Sequence, residues 1–353
     1  VSAAGAMPLV EGLTGDREIR AHFAAEAEIA AMLRFEAALA EAQAALGIVP
    51  AEAAGAIRDV CAAPFGELDA VRAGMGRDGV PVPALVKALR ERVGAPHGAH
   101  VHRGATSQDV VDTGLMLRMR AVLALLGGRV EALLARLDGM AEAQGGLDLM
   151  AWTRMQAALP FRAADKLATW RRPLEAHRAR LAALAADLPV QLGGPVGNGD
   201  GFGPLYPALR ADLARRLALR DSPPWHADRT AVLDIAHALA LLTGTLGKIG
   251  QDVALMAQTG MAAIELSGGG GSSAMAHKKN PVGAEALVSL ARFDAGLLGI
   301  LSQSMVHENE RSGAAWTLEW LVLPQMAEAA GAACRLAEAL LAGARFVARP
   351  PAG

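Results

Sequence analysis

The chain has 353 residues, of which 52% are hydrophobic, 20% charged and only 4% aromatic, and its formal net charge is −2. Such a composition fills a large buried core and argues against disorder. The near-neutral balance, with no basic stripe or lysine-rich tail, argues against nucleic acid and membrane surfaces as partners. No apolar run reaches the roughly 18 residues that a bilayer crossing needs, so no membrane segment is expected. Alanine and leucine dominate, and long packed helices are predicted in preference to sheets, which favour β-branched and aromatic residues.

Residues 1 to 8 lack the charged start and apolar stretch of a signal peptide. Cys61 and Cys334 stand far apart and in no CxxC pair, which suits a reducing compartment and no zinc site. A cytoplasmic protein is therefore expected. Along the chain, Ile19, Phe23, Ile29, Leu33, Ala37 and Ala40 recur at helical spacing and predict one or two amphipathic helices over residues 18 to 47, stopped by Gly47. Residues 51 to 62 predict a short helix and residues 64 to 79 a loop-rich passage. Residues 83 to 93 predict another short helix, closed by Gly94.

From Ser107 the character changes. Val110, Val111, Leu115, Met119, Val122, Leu126, Val130, Leu133 and Leu137 run for about 30 residues without a proline, longer than a compact single-core domain normally uses. Further long runs cover residues 161 to 186, 229 to 262 and 281 to 306, separated by glycine-rich joints at 193 to 197 and 268 to 271. Gly244, Gly247 and Gly250 recur inside the third run. Each costs a helix about 1 kcal/mol relative to alanine, and a close helix–helix crossing is the predicted compensation. Several long helices with mixed faces predict a bundle that also meets other subunits, hence a homo-oligomer.

Four segments carry chemistry. His102-Arg103-Gly104-Ala105-Thr106-Ser107-Gln108-Asp109 precedes the first long helix, with Thr106 and Ser107 at the N-cap positions. It reads as an ordinary helix start and equally as a carboxylate site, since the same amides serve both. Thr153-Arg154-Met155-Gln156 reads as a polar loop before a helix, where Arg154 by itself is as well explained as a surface charge. Gly268 to Pro281 places four glycines before Ser272, Ser273, His277, Lys278, Lys279 and Asn280. A phosphate-binding P-loop fails because no Gly-Lys-Ser/Thr follows the spacer. A plain linker remains the alternative, although the cationic, hydroxyl-rich cluster looks built to hold anions. In His307-Glu308-Asn309-Glu310-Arg311, the side chains of His307 and Arg311 face a site or pair with Glu308 and Glu310. Trp316 and Trp320, four apart, fit a core face better than a stacking platform.

The stretch from Gly271 to Pro281 resembles the Gly-Ser-Ser-x-Met-Pro-x-Lys-x-Asn-Pro signature of the fumarase/aspartase superfamily. Residues 102 to 113, the segment from His307 through Trp316, Glu319 and Trp320 to Pro324, Pro223-Pro224-Trp225-His226 and residues 245 to 249 look most like its carboxymuconate cycloisomerase branch. The resemblance spans roughly residues 8 to 330. It implies an all-α subunit of the L-aspartase/fumarase-like fold, with a long central helix bundle shared across a homotetramer and each active site drawn from three subunits. It also implies an N-terminal helical domain over 1–103, a central long-helix domain over 104–330 and a truncated C-terminal helical segment over 331–353.

Residue by residue, the resemblance implies catalytic roles for Ser272, Lys278 and His102. Carboxylate or substrate binding is implied for Thr106, Ser107, Gln156 and Asn280. Arg103, Arg154, Ser273, Met275, His307 and Arg311 complete the candidate set. The implied reaction is cyclisation of 3-carboxy-cis,cis-muconate to 4-carboxymuconolactone, in the protocatechuate branch of the β-ketoadipate pathway, with no metal or organic cofactor. The partners implied are a small polycarboxylate and further copies of the chain. Two features depart from the pattern: Ala276 replaces the signature proline, and Arg154 stands where the lyases carry histidine and the cycloisomerases usually tryptophan. A fumarate-releasing lyase, such as an adenylosuccinate lyase, and a catalytically silent structural relative are the alternatives.

Overall fold

The structure, a computed structural model, describes residues 9–271, 274–275 and 278–348. Its helices in chain order are α1 (Glu11–Thr14), α2 (Arg17–Ala21), α3 (Ala25–Ala45), α4 (Ala51–Ala62), α5 (Leu68–Asp78), α6 (Val82–Val93), α7 (Ser107–Gln144), α8 (Ala163–Ala186), α9 (Tyr206–Leu217), α10 (Thr230–Met256), α11 (Val282–Leu301) and α12 (Gly313–Ala342). Four short strands, β1 (Asp148–Thr153), β2 (Gln156–Arg162), β3 (Ile264–Leu266) and β4 (Ala344–Phe346), form two antiparallel pairs, β1 with β2 and β3 with β4. The all-α expectation holds, and the strands decorate the bundle ends.

The long helices α7, α8, α10, α11 and α12 enclose one core. Val122, Leu126, Val130 and Leu133 of α7 meet Leu239, Leu246 and Val253 of α10, Leu287 of α11 and Met326 of α12, all buried. Among them Trp170 of α8 donates its indole N–H to Asp252 at 2.7 Å, so its polar edge is satisfied inside the core. A second core joins α3 to α6, the first turns of α7, and α9. It shapes the end of the bundle at which α7 begins.

Three expectations need correction. The passage over 64–79 is mostly helical. Its glycines depress helix propensity, but Gly74 of α5 lies so close to α6 that an added Cβ would stand 2.5 Å from the Ala84 Cβ. Packing thus outweighs local propensity. Thr153 to Gln156 is a β-hairpin turn between β1 and β2. Finally, α10 does have the length and apolar content of a bilayer crossing, with a mean hydropathy of 1.4 over its best window. Its buried positions are spent on the bundle core instead.

Of the three spaced glycines, two serve the predicted crossing. A Cβ on Gly247 would sit 2.4 Å from the Ala291 Cβ, and one on Gly250 2.6 Å from the Ala284 carbonyl of α11, whereas Gly244 meets nothing within 4 Å. Gly247→Ala therefore gains about 1 kcal/mol in propensity but incurs an overpacking cost of about 1–3 kcal/mol. The expected result in thermal unfolding is a Tm lowered by a few degrees, and a raised Tm would show that α10 and α11 separate easily. Pro324 sits inside α12 without ending it, and the helix runs unbroken past residue 330.

Candidate active site

Helix α7 opens the site. Thr106 has the extended backbone of an N-cap, and its amide donates to Asp109 Oδ2 at 3.0 Å, half of a capping box. Asp109 does more than cap. Its carboxylate also accepts the Gly193 and Gly194 amides at 2.8 and 3.0 Å and lies 3.0 Å from His226 Nε2. One buried anion thereby pins the glycine joint and the stretch before α10 to the mouth of α7. Glycine is needed at this joint: a Cβ on Gly194 would lie 3.1 Å from the Gly104 carbonyl, and Gly194 has a φ of +70°.

Beneath the mouth runs a second buried network. Arg229 presents its fork to Asp112, at 2.7 and 3.1 Å, and its Nε and Nη2 to Glu319 at 2.8 and 2.6 Å. None of the three side chains is exposed. Trp316 Nε1 donates to Asp112 at 2.9 Å, and Gln108 Nε2 donates to Asp112 and to the His226 carbonyl. Gln108 Oε1 in turn accepts from Arg311 Nε at 2.7 Å. Arg311 is thus positioned by Gln108 and by the Pro195 carbonyl rather than by Glu308 or Glu310. His307 Nδ1 accepts the Ser312 amide at 3.3 Å. Burial, helped by Arg229, pushes the His307 pKa down, so the ring is neutral at neutral pH. As expected, Trp316 and Trp320 pack on each other, 4.7 Å between centroids.

His102 lies at the same mouth in a left-handed backbone conformation, φ 62°, with Nδ1 2.6 Å from Glu36. It lines, with Ser107, a cleft of about 520 Å³ bordered by Lys87, Arg90 and Glu91 of α6. Arg103 beside it is exposed and is held through its carbonyl by Gln43 Nε2 at 2.7 Å. One end of the bundle therefore gathers His102, Arg103, Thr106, Ser107, His307 and Arg311.

The remaining candidates belong to the other end. Helix α7 has 38 residues, about 57 Å at 1.5 Å per residue. At its far end Gln144 Oε1 accepts the Phe346 amide at 2.7 Å, which brings the C-termini of α7 and α12 together. There the Ser267 amide donates to the Gly343 carbonyl, and an antiparallel bridge between Gly270 and Asn280 closes the base of the glycine-rich loop. Lys278 is exposed, its amide donating to the Met275 carbonyl at 3.0 Å, and Met275 is exposed too. Ser272, Ser273, Ala276 and His277 lie outside the described residues.

The β1–β2 hairpin also springs from this end. Both turn residues, Arg154 and Met155, have left-handed backbones, φ 49° and 65°, without being glycine or asparagine. Such positions cost on the order of 1 kcal/mol each. Arg154 and Gln156 are exposed at the tip. Strand β1, with six residues, reaches about 20 Å, so the tip cannot return to the α7 mouth within one chain. The candidate residues of a single chain thus fall into two groups at opposite ends of the bundle.

Sequence reasoning missed Glu36, Gln43, Asp112 and Arg229, and it gave Asp109, His226 and Glu319 no part in holding the mouth in place. The available signal was a charged or amide side chain recurring within an apolar helical pattern, as Glu36 does beside Phe35 and Leu39.

A bundle of very long helices carries a capped helix mouth at one end and, at the other, a glycine-rich stretch with Lys278 and Lys279 nearby, the frame of an all-helical enzyme of the lyase class. The lyase family profile matches residues 13–293, and the chain belongs to that family. It is 38% identical over 333 residues to a 3-carboxy-cis,cis-muconate cycloisomerase of Pseudomonas aeruginosa, covering 92% of this chain and 72% of that protein. It is 36% identical over 330 residues to a nitrosuccinate lyase of Streptomyces davaonensis, covering 89% and 70%. The crystal structure of 3-carboxy-cis,cis-muconate lactonizing enzyme from Pseudomonas putida superposes with a TM-score of 0.89 at 34% identity, covering 97% of this chain and 78% of that one.

Proposed function

We propose that the protein is a cytoplasmic cycloisomerase that closes 3-carboxy-cis,cis-muconate to 4-carboxymuconolactone, a step of aromatic catabolism through the β-ketoadipate pathway. The observation that carries the reading is the 38% identity to the Pseudomonas aeruginosa cycloisomerase over nine tenths of the chain. In the reaction one carboxylate oxygen adds across the conjugated diene and the neighbouring carbon takes a proton. Negative charge gathers on the carboxylate next to that carbon, and donors already aimed at it stabilise the transition state by about 3 kcal/mol each. Thr106, Ser107, Lys278 and Asn280 are those donors. Arg154 and Arg311, with Gln156 and His307, hold the other carboxylates. His102 is the proton donor, and Ser272 is the second residue able to move the proton.

A homotetramer follows from this reading. The two half-sites meet only when antiparallel chains set the loop end of one against the α7 mouth of another. The exposed side chains of Leu241, Phe293, Ile300 and Leu321 on α10, α11 and α12 supply apolar surface for such packing.

The test is an ultraviolet assay of the pure protein on the tricarboxylate. Loss of the diene with lactone formation is expected, whereas turnover of β-substituted succinates alone would overturn the reading. The Streptomyces nitrosuccinate lyase favours that second reading, elimination from a substituted succinate, and fumarate or its analogue appearing in the same assay identifies it. For Arg154→Ala the expected result is a KM raised roughly 10- to 100-fold, the loss of one charge-assisted pair. An unchanged KM would remove Arg154 from the site.

A further inference from the structure

Helix α3 is a core helix, yet it buries two polar side chains two turns apart on one face, Glu36 and Gln43, each 1% exposed. Both reach the same corner of the chain: Glu36 Oε1 lies 2.6 Å from His102 Nδ1, and Gln43 Nε2 donates to the Arg103 carbonyl at 2.7 Å. The second oxygen of Glu36 is buried and meets no partner among the described residues. A carboxylate in this position costs burial energy that an apolar residue would avoid. The corner it holds is itself strained, since His102 is a non-glycine residue with a φ of 62°. A fold needs neither feature at a helix N-terminus that Asp109 already caps.

We propose that Glu36 is a positioning residue for the reaction, fixing a proton on His102 Nδ1 and aiming Nε2 into the cleft shared with Ser107. The inference rests on the proposed function, in which His102 gives a proton to the substrate carbon. With Nδ1 committed to a carboxylate, the proton that leaves is the one on Nε2. The new C–H bond forms as the Nε2–H bond breaks, and the electron pair left on Nε2 takes up a proton from water before the next turnover. The tricarboxylate thereby becomes a dicarboxylate lactone with net uptake of one proton.

The surroundings agree. Burial pulls the His102 pKa down, but the Glu36 carboxylate, through its charge and hydrogen bond, outweighs it, with Asp109 of α7 adding to the rise and Arg90 of α6 opposing. The ring therefore titrates above the ordinary histidine value. Lys87 and Glu91 of α6 line the same cleft. Behind Glu36, the Cys61 thiol of α4 is pushed up to about 12 by burial and by Glu36, so it stays neutral, and Arg92 of α6 acts on it in the opposite sense.

The test is Glu36→Gln, which keeps a hydrogen-bond acceptor for Nδ1–H and removes the charge. The expected kcat is roughly 10- to 100-fold lower, part of the 10²–10⁴ that positioned proton transfer supplies, with KM nearly unchanged. The basic limb of the kcat profile should move to lower pH. The His102 ring, followed by NMR in the ligand-free protein, should titrate at lower pH than in the wild type. In a His102→Gln background, Glu36→Gln should add nothing. If His102→Gln abolishes turnover while Glu36→Gln leaves both the pH limb and the ring titration in place, the positioning role is overturned and the function stands. If His102→Gln leaves turnover intact, the assignment of His102 itself fails. A changed ring titration with an unchanged rate would make the pair structural and also overturn the proposal.

Discussion

Co-expression of Lys278→Ala with Ser107→Ala is expected to restore activity that neither variant has alone. Each substitution removes a donor from the proposed charge-stabilising set, so each variant alone should lose two to three orders of magnitude in kcat. The two residues stand at opposite ends of helices about 45 to 57 Å long, α12 with 30 residues and α7 with 38. No hinge within one chain brings them together. In the proposed symmetric assembly each site takes Ser107 from one subunit and Lys278 from another, and random mixing then leaves about one quarter of the sites with both native residues. Recovery near a quarter of wild-type turnover is therefore expected. A mixture no more active than its better component would mean that each chain supplies both residues to one site, and the proposed shared site would be lost.

The proposed division of the site between chains rests on family resemblance, because residue order along a helix says nothing about which neighbour covers its ends. What was legible from the residues themselves was local. The apolar spacing from Val110 to Leu137 gave α7, and Thr106 with Ser107 gave its start, because a helix face and a cap are both read within a few positions. Gly247 and Gly250 revealed a crossing because close contact offsets what glycine costs in a helix interior. Gly244 obeys the same spacing and touches nothing, so the pattern marks a face without saying how far the contact extends.

The misreadings have a common cause. The hairpin at Thr153 was hidden because its turn uses Arg154 and Met155 in left-handed conformations, where Asn-Gly would have announced it. Helix α5 was hidden by its glycines, and the close approach of Gly74 to α6 that overrides them is a tertiary fact. The polar supports of the mouth pair residues far apart in sequence, 66 positions for His102 with Glu36 and 117 for Asp112 with Arg229. No local pattern encodes such partners.

The largest stability effect is expected at Arg229. Its side chain is wholly buried between Asp112 and Glu319, and no other cation bonds these two carboxylates among the described residues. Arg229→Met keeps most of the volume and leaves two buried anions facing each other. Removing one partner of a buried ion pair typically costs about 3–5 kcal/mol, and here two partners are stranded, so the folded state should be lost or the Tm sharply lowered at neutral pH. The pH dependence gives the sign. In the wild type burial already pushes the Glu319 pKa up, although Arg229 opposes it. Without the guanidinium the opposition to that rise is gone, and the stability carried by a Glu319 carboxyl whose folded pKa lies above its unfolded one is present at low pH and lost as pH rises through the folded value. The deficit of Arg229→Met should therefore shrink on going from neutral pH towards the unfolded carboxyl range near pH 4. Glu319→Gln is the control: it leaves Arg229 paired one-to-one with Asp112 and keeps an acceptor for Nε, so its Tm should fall much less. Equal losses in the two variants, or a deficit for Arg229→Met that does not change with pH, would mean that shape and packing, not charge balance, hold the mouth of α7 together.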